Sequence, residues 1–215
     1  MTIRKTVFII TLIALAGLAF SLWASPRLPE TVPSHWNAAG EVDGYSSREQ
    51  VLFLLPVLTF VMGLLLLYLP NMDPLRANIE RFREVYHWFI IGLSIFFIYL
   101  HVLSLLAGMG VNVNMTYALI PAVGLLYIGM GFMLERAQPN WLIGIRTPWT
   151  LSSPTVWRKT HRLGGLAFKV AGVLALVGLL FPAEVALWFT IIPLLVTALG
   201  TIIYSYVLYQ QESGR

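Results

Sequence analysis

The stretch "YHWFIIGLSIFFIYLHVLSLLAG", residues 86–108, runs for 23 positions without an Asp, Glu, Lys or Arg. About 20 apolar residues at ~1.5 Å each cross the ~30 Å hydrocarbon layer, so a run of this length reads as a membrane-spanning helix. Five further runs share its character, at about 6–24, 51–69, 116–134, 164–181 and 185–208. None contains a carboxylate, and Lys169 is the one basic residue inside any of them. Composition agrees. Of 215 residues, 58% are hydrophobic and 11% charged, against roughly 25% charged in a soluble domain. The expected fold class is all-α, a polytopic membrane protein with six transmembrane helices. The first run is read as a retained anchor, because its apolar core of about 19 residues exceeds the usual 7–15 of a signal peptide.

Cations set the expected orientation, since Lys and Arg concentrate on the cytoplasmic side. With both termini cytoplasmic, the inner segments hold Arg4, Lys5, Arg76, Arg81, Arg83, Arg136, Arg146, Arg158, Lys159, Arg162 and Arg215, eleven of the fourteen. The outer segments hold only Arg27 and Arg48. The basic pI near 9.5 thus reports topology, and no direct nucleic-acid binding is implied. Three units follow: an N-terminal helix hairpin over 1–70 with an outer loop at 25–50, a central hairpin over 71–134, and a C-terminal part over 135–215. Absence of cysteine excludes disulfides and thiolate metal sites.

Pro56, Pro121 and Pro193 each fall near the outer end of an even-numbered span, where a proline removes a helix hydrogen bond and favours a kink. Asp73-Pro74 predicts a short helical turn in the inner link at 70–85. In the fifth span Gly164, Ala167, Ala171, Ala175 and Gly178 form a small-residue stripe, read first as helix packing.

The outer loop is turn-rich. Asp43-Gly44 reads as a turn, and Asn37 and Gly40 tolerate left-handed backbone. His35, Glu41 and Asp43 lack fixed ligand spacing, so no metal site is assigned. Two readings stand: a compact loop with Trp36 at the membrane surface and His35 bonded to local backbone, or a face that meets something arriving from outside. In the inner loop, "NWLIGIRTPWTLSSPTVWRKTHRLGG" (140–165) concentrates tryptophans and cations. Trp141 and Trp149 suit the headgroup boundary. Ser153 and Pro154 read as an N-cap and first helical residue. The helix they start would lie along the inner leaflet, with Trp157 and His161 facing down and Arg158 and Arg162 beside them. Gly164-Gly165 would then turn the chain into the membrane. The run Arg146-Thr147-Pro148-Trp149-Thr150 has the makings of a small anion- or carbonyl-binding constellation.

That inner stretch closely resembles the signature of the SdpI family of bacterial membrane proteins. The outer loop "LPETVPSHWNAAGEVDGYSSRE" resembles the small domain of unknown function that commonly precedes it. The resemblance implies an immunity and signal-transduction protein that confers resistance to a secreted antimicrobial peptide and sequesters a cytoplasmic repressor. It also marks the candidate binding residues: Arg146, Thr147, Pro148, Trp149, Thr150, Trp157, Thr160, His161 and Gly165 inside, with His35, Trp36, Asn37, Gly40, Asp43 and Gly44 outside. The implied partners are membrane lipid, an extracellular antimicrobial peptide and a cytoplasmic repressor, with no cofactor.

His101, within the third span, is an intramembrane candidate, with a neutral imidazole bonded to a neighbouring helix the preferred reading. His87 reads as an interfacial residue, and Lys169 as one that snorkels to the inner surface. The standard metalloprotease, hydrolase and phosphate-loop motifs are missing, so a non-enzyme is expected. The rival is a membrane enzyme or transporter that grips a lipid or small amphiphile through Arg146 and His161.

Overall fold

The computed structural model describes residues 1–214; Arg215, counted above among the inner cations, lies outside the described residues. Eight α-helices, one β-hairpin and two short 3-10 helices (Ser25–Arg27 and Leu69–Met72) form the described elements. The α-helices and strands are α1 (Ile3–Ala24), β1 (Thr31–Trp36), β2 (Val42–Ser47), α2 (Arg48–Tyr68), α3 (Arg76–Glu80), α4 (Arg83–Gly108), α5 (Met115–Arg136), α6 (Pro148–Ser152), α7 (Pro154–Gly178) and α8 (Ala183–Glu212). Helices α1, α2, α4, α5, α7 and α8 are each long and apolar enough to cross a membrane. Their outward faces carry Phe8, Leu65, Ile95, Leu125, Val173 and Leu199 exposed, as lipid-facing surfaces do.

The loop at 25–50, expected outside, corrects the all-α expectation. Strands β1 and β2 pair antiparallel, from Thr31 opposite Ser47 to Trp36 opposite Val42. Asp43-Gly44 is not the turn but lies within β2. The reversal runs through Asn37–Glu41, where the Asn37 Oδ1 accepts from the amides of Ala39 and Glu41 and Gly40 takes φ +82°. Gly44 answers to a different need: a Cβ there would sit 2.9 Å from the His35 Cβ across the ladder. Asn37 itself has no positive φ.

Helices α1, α2 and α4 pack as one group, and α5, α7 and α8 as another, with α4 and α5 at the seam. Two hydroxyl–imidazole contacts register α1 beside α4: Thr6 Oγ1 to His87 Nδ1 at 2.8 Å and Ser21 Oγ to His101 Nε2 at 2.7 Å. His87 is therefore buried against α1 and is not an interfacial side chain. In the second group, glycines of α5 and α7 abut in antiparallel pairs, Gly124 with Gly172 and Gly131 with Gly165. The predicted stripe faces the other way: Gly164 and Gly178 abut Thr201, Ala186 and Phe189 of α8. Helix α7 is thus clasped on two faces by small residues, the close approach that membrane helices use in place of a hydrophobic drive.

Helix α7 also corrects the inner-surface helix. It runs unbroken from Pro154 to Gly178, capped by the Ser153 hydroxyl accepting from the Val156 amide, with no turn at Gly164-Gly165. Asp73 takes part in a turn as expected, although the helix starts at Arg76; its Oδ1 accepts from the Leu75 amide at 2.7 Å. Lys169 does not simply snorkel. Its ammonium pairs with Glu135 at the end of α5 and lies 5.0 Å from the Phe132 ring centroid.

Candidate functional site

The loop between α5 and α6 is held from within by one side chain. Asn140 is fully buried and uses all four of its hydrogen-bonding positions. Its Oδ1 accepts from the amides of Leu142 and Ile143, and its Nδ2 donates to the carbonyls of Gln138 and Ile143, at 2.6–2.9 Å. Asparagine folds a loop in this way because its side chain imitates a peptide group. The loop so formed is bolted to the first helix group. Asp73 Oδ2 accepts from the Trp141 amide at 2.8 Å, and Asn78 Nδ2 donates to the Pro139 carbonyl at 2.7 Å. The turn chemistry of Pro139-Asn140 was a legible signal; the two distant partners were not.

His161 and Trp157 lie at the centre. Their rings stack with centroids 4.0 Å apart at an interplanar angle of 17°. Trp157 is fully buried, and its indole Nε1–H donates to the Ala137 carbonyl at 2.9 Å. The Ile145 amide donates to His161 Nε2 at 3.0 Å, so the proton belongs on Nδ1, which donates to the Trp157 carbonyl at 2.9 Å. Gly144, at φ +122°, makes this possible, because a Cβ there would strike the imidazole. Both ring nitrogens are consequently spent on backbone. His161 acts as a latch between α7 and the loop, with no lone pair left for a metal or for proton transfer.

The remaining inner candidates divide by exposure. Thr147 caps α6 in a reciprocal box with Thr150 and touches the Ser205 hydroxyl of α8 at 3.0 Å. Thr150 also donates to the Ile145 carbonyl at 2.8 Å. Pro148 starts α6, and Trp149 rests on Tyr206 of α8 at 5.1 Å between centroids. Thr160 is fully buried, its hydroxyl without a partner among the described residues. Gly165 backs onto Gly131. Arg146 stands apart: it is exposed, its guanidinium donating to the Trp141 carbonyl. With exposed Arg158, Lys159 and Arg162 it makes a basic face. None of the four forms an ion pair among the described residues.

At the opposite end the hairpin roofs two cavities that share Trp36. The larger, about 460 Å³, is lined by the polar His35, Ser46 and Gln50 and by the apolar Val51, Leu54, Leu100 and Leu119. The smaller, about 250 Å³, continues past Trp36 towards Val123, Leu187 and Thr190. The roof is pinned on both sides. Ser104 of α4 donates to the Pro33 carbonyl at 2.8 Å, and Thr116 of α5 donates to the Ala38 carbonyl at 3.2 Å. The His35 ring contacts Asp43 Oδ1 at 2.5 Å across the ladder, where a bond to local backbone was one expectation. Glu41 bonds the Asn37 amide group instead, so the three candidate ligands do not converge; no metal-binding cluster occurs among the described residues. Apolar walls with a few polar groups among them suit an amphiphile.

His101 is fully buried among α1, α2 and α4. Ser21 links it to the Leu52 carbonyl, at 2.7 Å from each. The neighbouring-helix reading fits this geometry, though the ring Nδ1 has no partner among the described residues. Ser21→Ala should strand the second nitrogen as well, at a cost of about 1–2 kcal/mol. Thermal unfolding in detergent checks this; an unchanged midpoint would contradict the assigned bond.

Residues 136–205 match the SdpI/YfhL protein family, and residues 12–60 match a domain of unknown function, DUF1648. Over 211 residues the chain is 26% identical to the immunity protein SdpI of Bacillus subtilis (strain 168), a likeness covering 98% of this chain and 99% of that protein. A shorter likeness, 39% identity over 64 residues, relates 29% of this chain to 35% of an uncharacterised protein of Archaeoglobus fulgidus. No solved structure matches the chain. The family segment takes in the Asn140 loop, the Trp157–His161 stack and most of α8, while the DUF1648 segment takes in the roofing hairpin. The chain is a multi-pass membrane protein whose residues 136–205 match the SdpI/YfhL family and whose residues 12–60, before that segment, match DUF1648.

Proposed function

We propose that this protein is a membrane immunity protein that protects the cell carrying it from a secreted antimicrobial peptide. The observation that carries the reading is the end-to-end likeness to the immunity protein SdpI. The roofed cavity beside Trp36 supports it, since an amphipathic peptide arriving from outside offers an apolar side chain for the walls and polar groups for His35, Ser46 and Gln50. Both termini are cytoplasmic in this reading, which puts the hairpin outside. The exposed basic face of Arg146, Arg158, Lys159 and Arg162 then meets the cytosol, where it suits an acidic surface on a repressor held at the membrane. The rival enzyme or transporter needs a free imidazole at His161, and both nitrogens are engaged.

Expression in a toxin-sensitive strain should raise survival under peptide challenge. Trp36→Ala should lower that protection by about tenfold, the worth of one aromatic anchor, without lowering the amount of protein in the membrane. Equal killing with and without the protein, across a panel of peptide toxins, would sink the proposal.

A further inference from the structure

Below the hairpin, the seam between α4 and α5 stays open. An apolar groove of about 580 Å³ runs along it, walled by Trp88, Phe89, Phe96 and Phe132 and also lined by Gly92 and Gly129. That volume is in the range of small-molecule sites. From Val85 to Tyr99 the helix rises ~21 Å, about two thirds of the ~30 Å hydrocarbon thickness. The groove therefore starts at the end of the bundle that carries the termini and reaches past mid-membrane. At its far end the Tyr99 hydroxyl bridges the seam, donating to the Ala118 carbonyl at 2.8 Å.

The two glycines are the informative feature. Glycine within a helix is destabilising relative to alanine, so each one calls for a reason. Gly17, Gly63, Gly124, Gly131, Gly165 and Gly172 supply one, because a Cβ at each would meet a neighbouring atom at 3.0 Å or less. A Cβ at Gly92 would meet nothing within 4 Å, and one at Gly129 only the Phe89 ring at 3.9 Å. Gly200 is equally open, but it lies on the exposed face of α8. Gly92 and Gly129 line one groove and keep clear a space that no atom of the protein uses.

Charge at the groove's near end completes the picture. Arg136 follows one turn after Phe132, is exposed, and bonds the Phe132 carbonyl at 3.3 Å. Arg81, just before α4, is exposed as well. Neither forms an ion pair among the described residues, whereas Glu80 is paired with Arg83 and Glu135 with Lys169. Glu84 is the one carboxylate there outside an ion pair, so the balance of free charge is positive.

We infer that the α4–α5 groove holds one acyl chain of an anionic phospholipid from the leaflet on the termini side, with its phosphate at Arg136. A tail gains nothing hydrophobic by leaving the bilayer for a groove. Packing therefore selects the chain, and the cations select the headgroup, at about fivefold per cation.

Native mass spectrometry of the purified full chain, supplied with phosphatidylglycerol and phosphatidylcholine in equal amounts, tests this. The expected result is one retained phosphatidylglycerol per monomer, preferred by about fivefold or more. Gly92→Leu should remove it while leaving the lipid-free unfolding temperature unchanged or higher. Arg136→Gln should keep a bound lipid but bring the preference towards parity. Should the leucine variant not assemble, the wild type decides alone. Phosphatidylglycerol with a photoreactive group in its tail should label residues 85–99 and 121–132 in competition with unlabelled lipid. Labelling spread evenly over the lipid-facing helices, equal retention of the two lipids, or a dimer that buries the groove would overturn the inference.

Discussion

Trp157→Ala is expected to lower stability by about 3–5 kcal/mol, the range for deleting a buried aromatic side chain. Trp157 is fully buried in a cluster that joins both helix groups, touching the company of Ile10, Leu67 and Tyr86 from the first group and Met133 and Ile143 from the second. Truncation would empty that junction, strand the Ala137 carbonyl and remove the face on which His161 stacks. In a chain of this size the melting midpoint should fall by on the order of 10 °C. Trp157→Phe separates the contributions: it keeps a stacking ring and loses the indole hydrogen bond, for about 1–2 kcal/mol. Thermal unfolding of the detergent-solubilised protein, followed by loss of the monodisperse species, reads both. If the alanine variant melts with the wild type, Trp157 is not the junction described.

Gly131→Leu and Gly172→Leu should do more, and act on assembly. A Cβ at Gly131 would stand 2.5 Å from the Gly165 carbonyl oxygen, and one at Gly172 closer still to that of Gly124. Both obstacles are backbone, so no rotamer change relieves them, and α5 would have to part from α7. Overpacking by a methyl or two costs roughly 1–3 kcal/mol in a core; a leucine against a helix backbone should exceed that. The expected readout is loss of folded protein from the membrane, with Gly172→Ala intermediate. Gly200→Ala, open on the face of α8, serves as the control and should be neutral or gain a few tenths of a kcal/mol. Normal levels of the leucine variants would rule out the close crossing.

Much of the fold was legible in the order of residues. Six apolar runs gave six spans, because the bilayer imposes a length and forbids uncovered charge whatever the tertiary arrangement. Ser153-Pro154 gave the start of α7 for a reason that is equally local. The outer hairpin was missed because its pattern is short and turn-rich, and Asp43-Gly44 imitates a turn while glycine in fact makes room for His35. Trp157 and His161 were read as sharing one helix face, and their rings do stack. Their direction was misjudged, since an amphipathic helix has the same period whether its aromatic face meets lipid or protein.

What the sequence determined by itself is the number of crossings, the location of the two long loops and the family motif, all properties of contiguous stretches. Only the tertiary structure decided that Trp157 and His161 turn inward and that the inner loop is tied to the first helix group. It also decided that α4 and α5 leave a groove between them. The reason is the separation of partners: Asp73 meets the Trp141 amide 68 residues away, and Asn78 meets the Pro139 carbonyl 61 away. Buried polar groups must find partners, but local pattern does not say which distant group will be brought to hand.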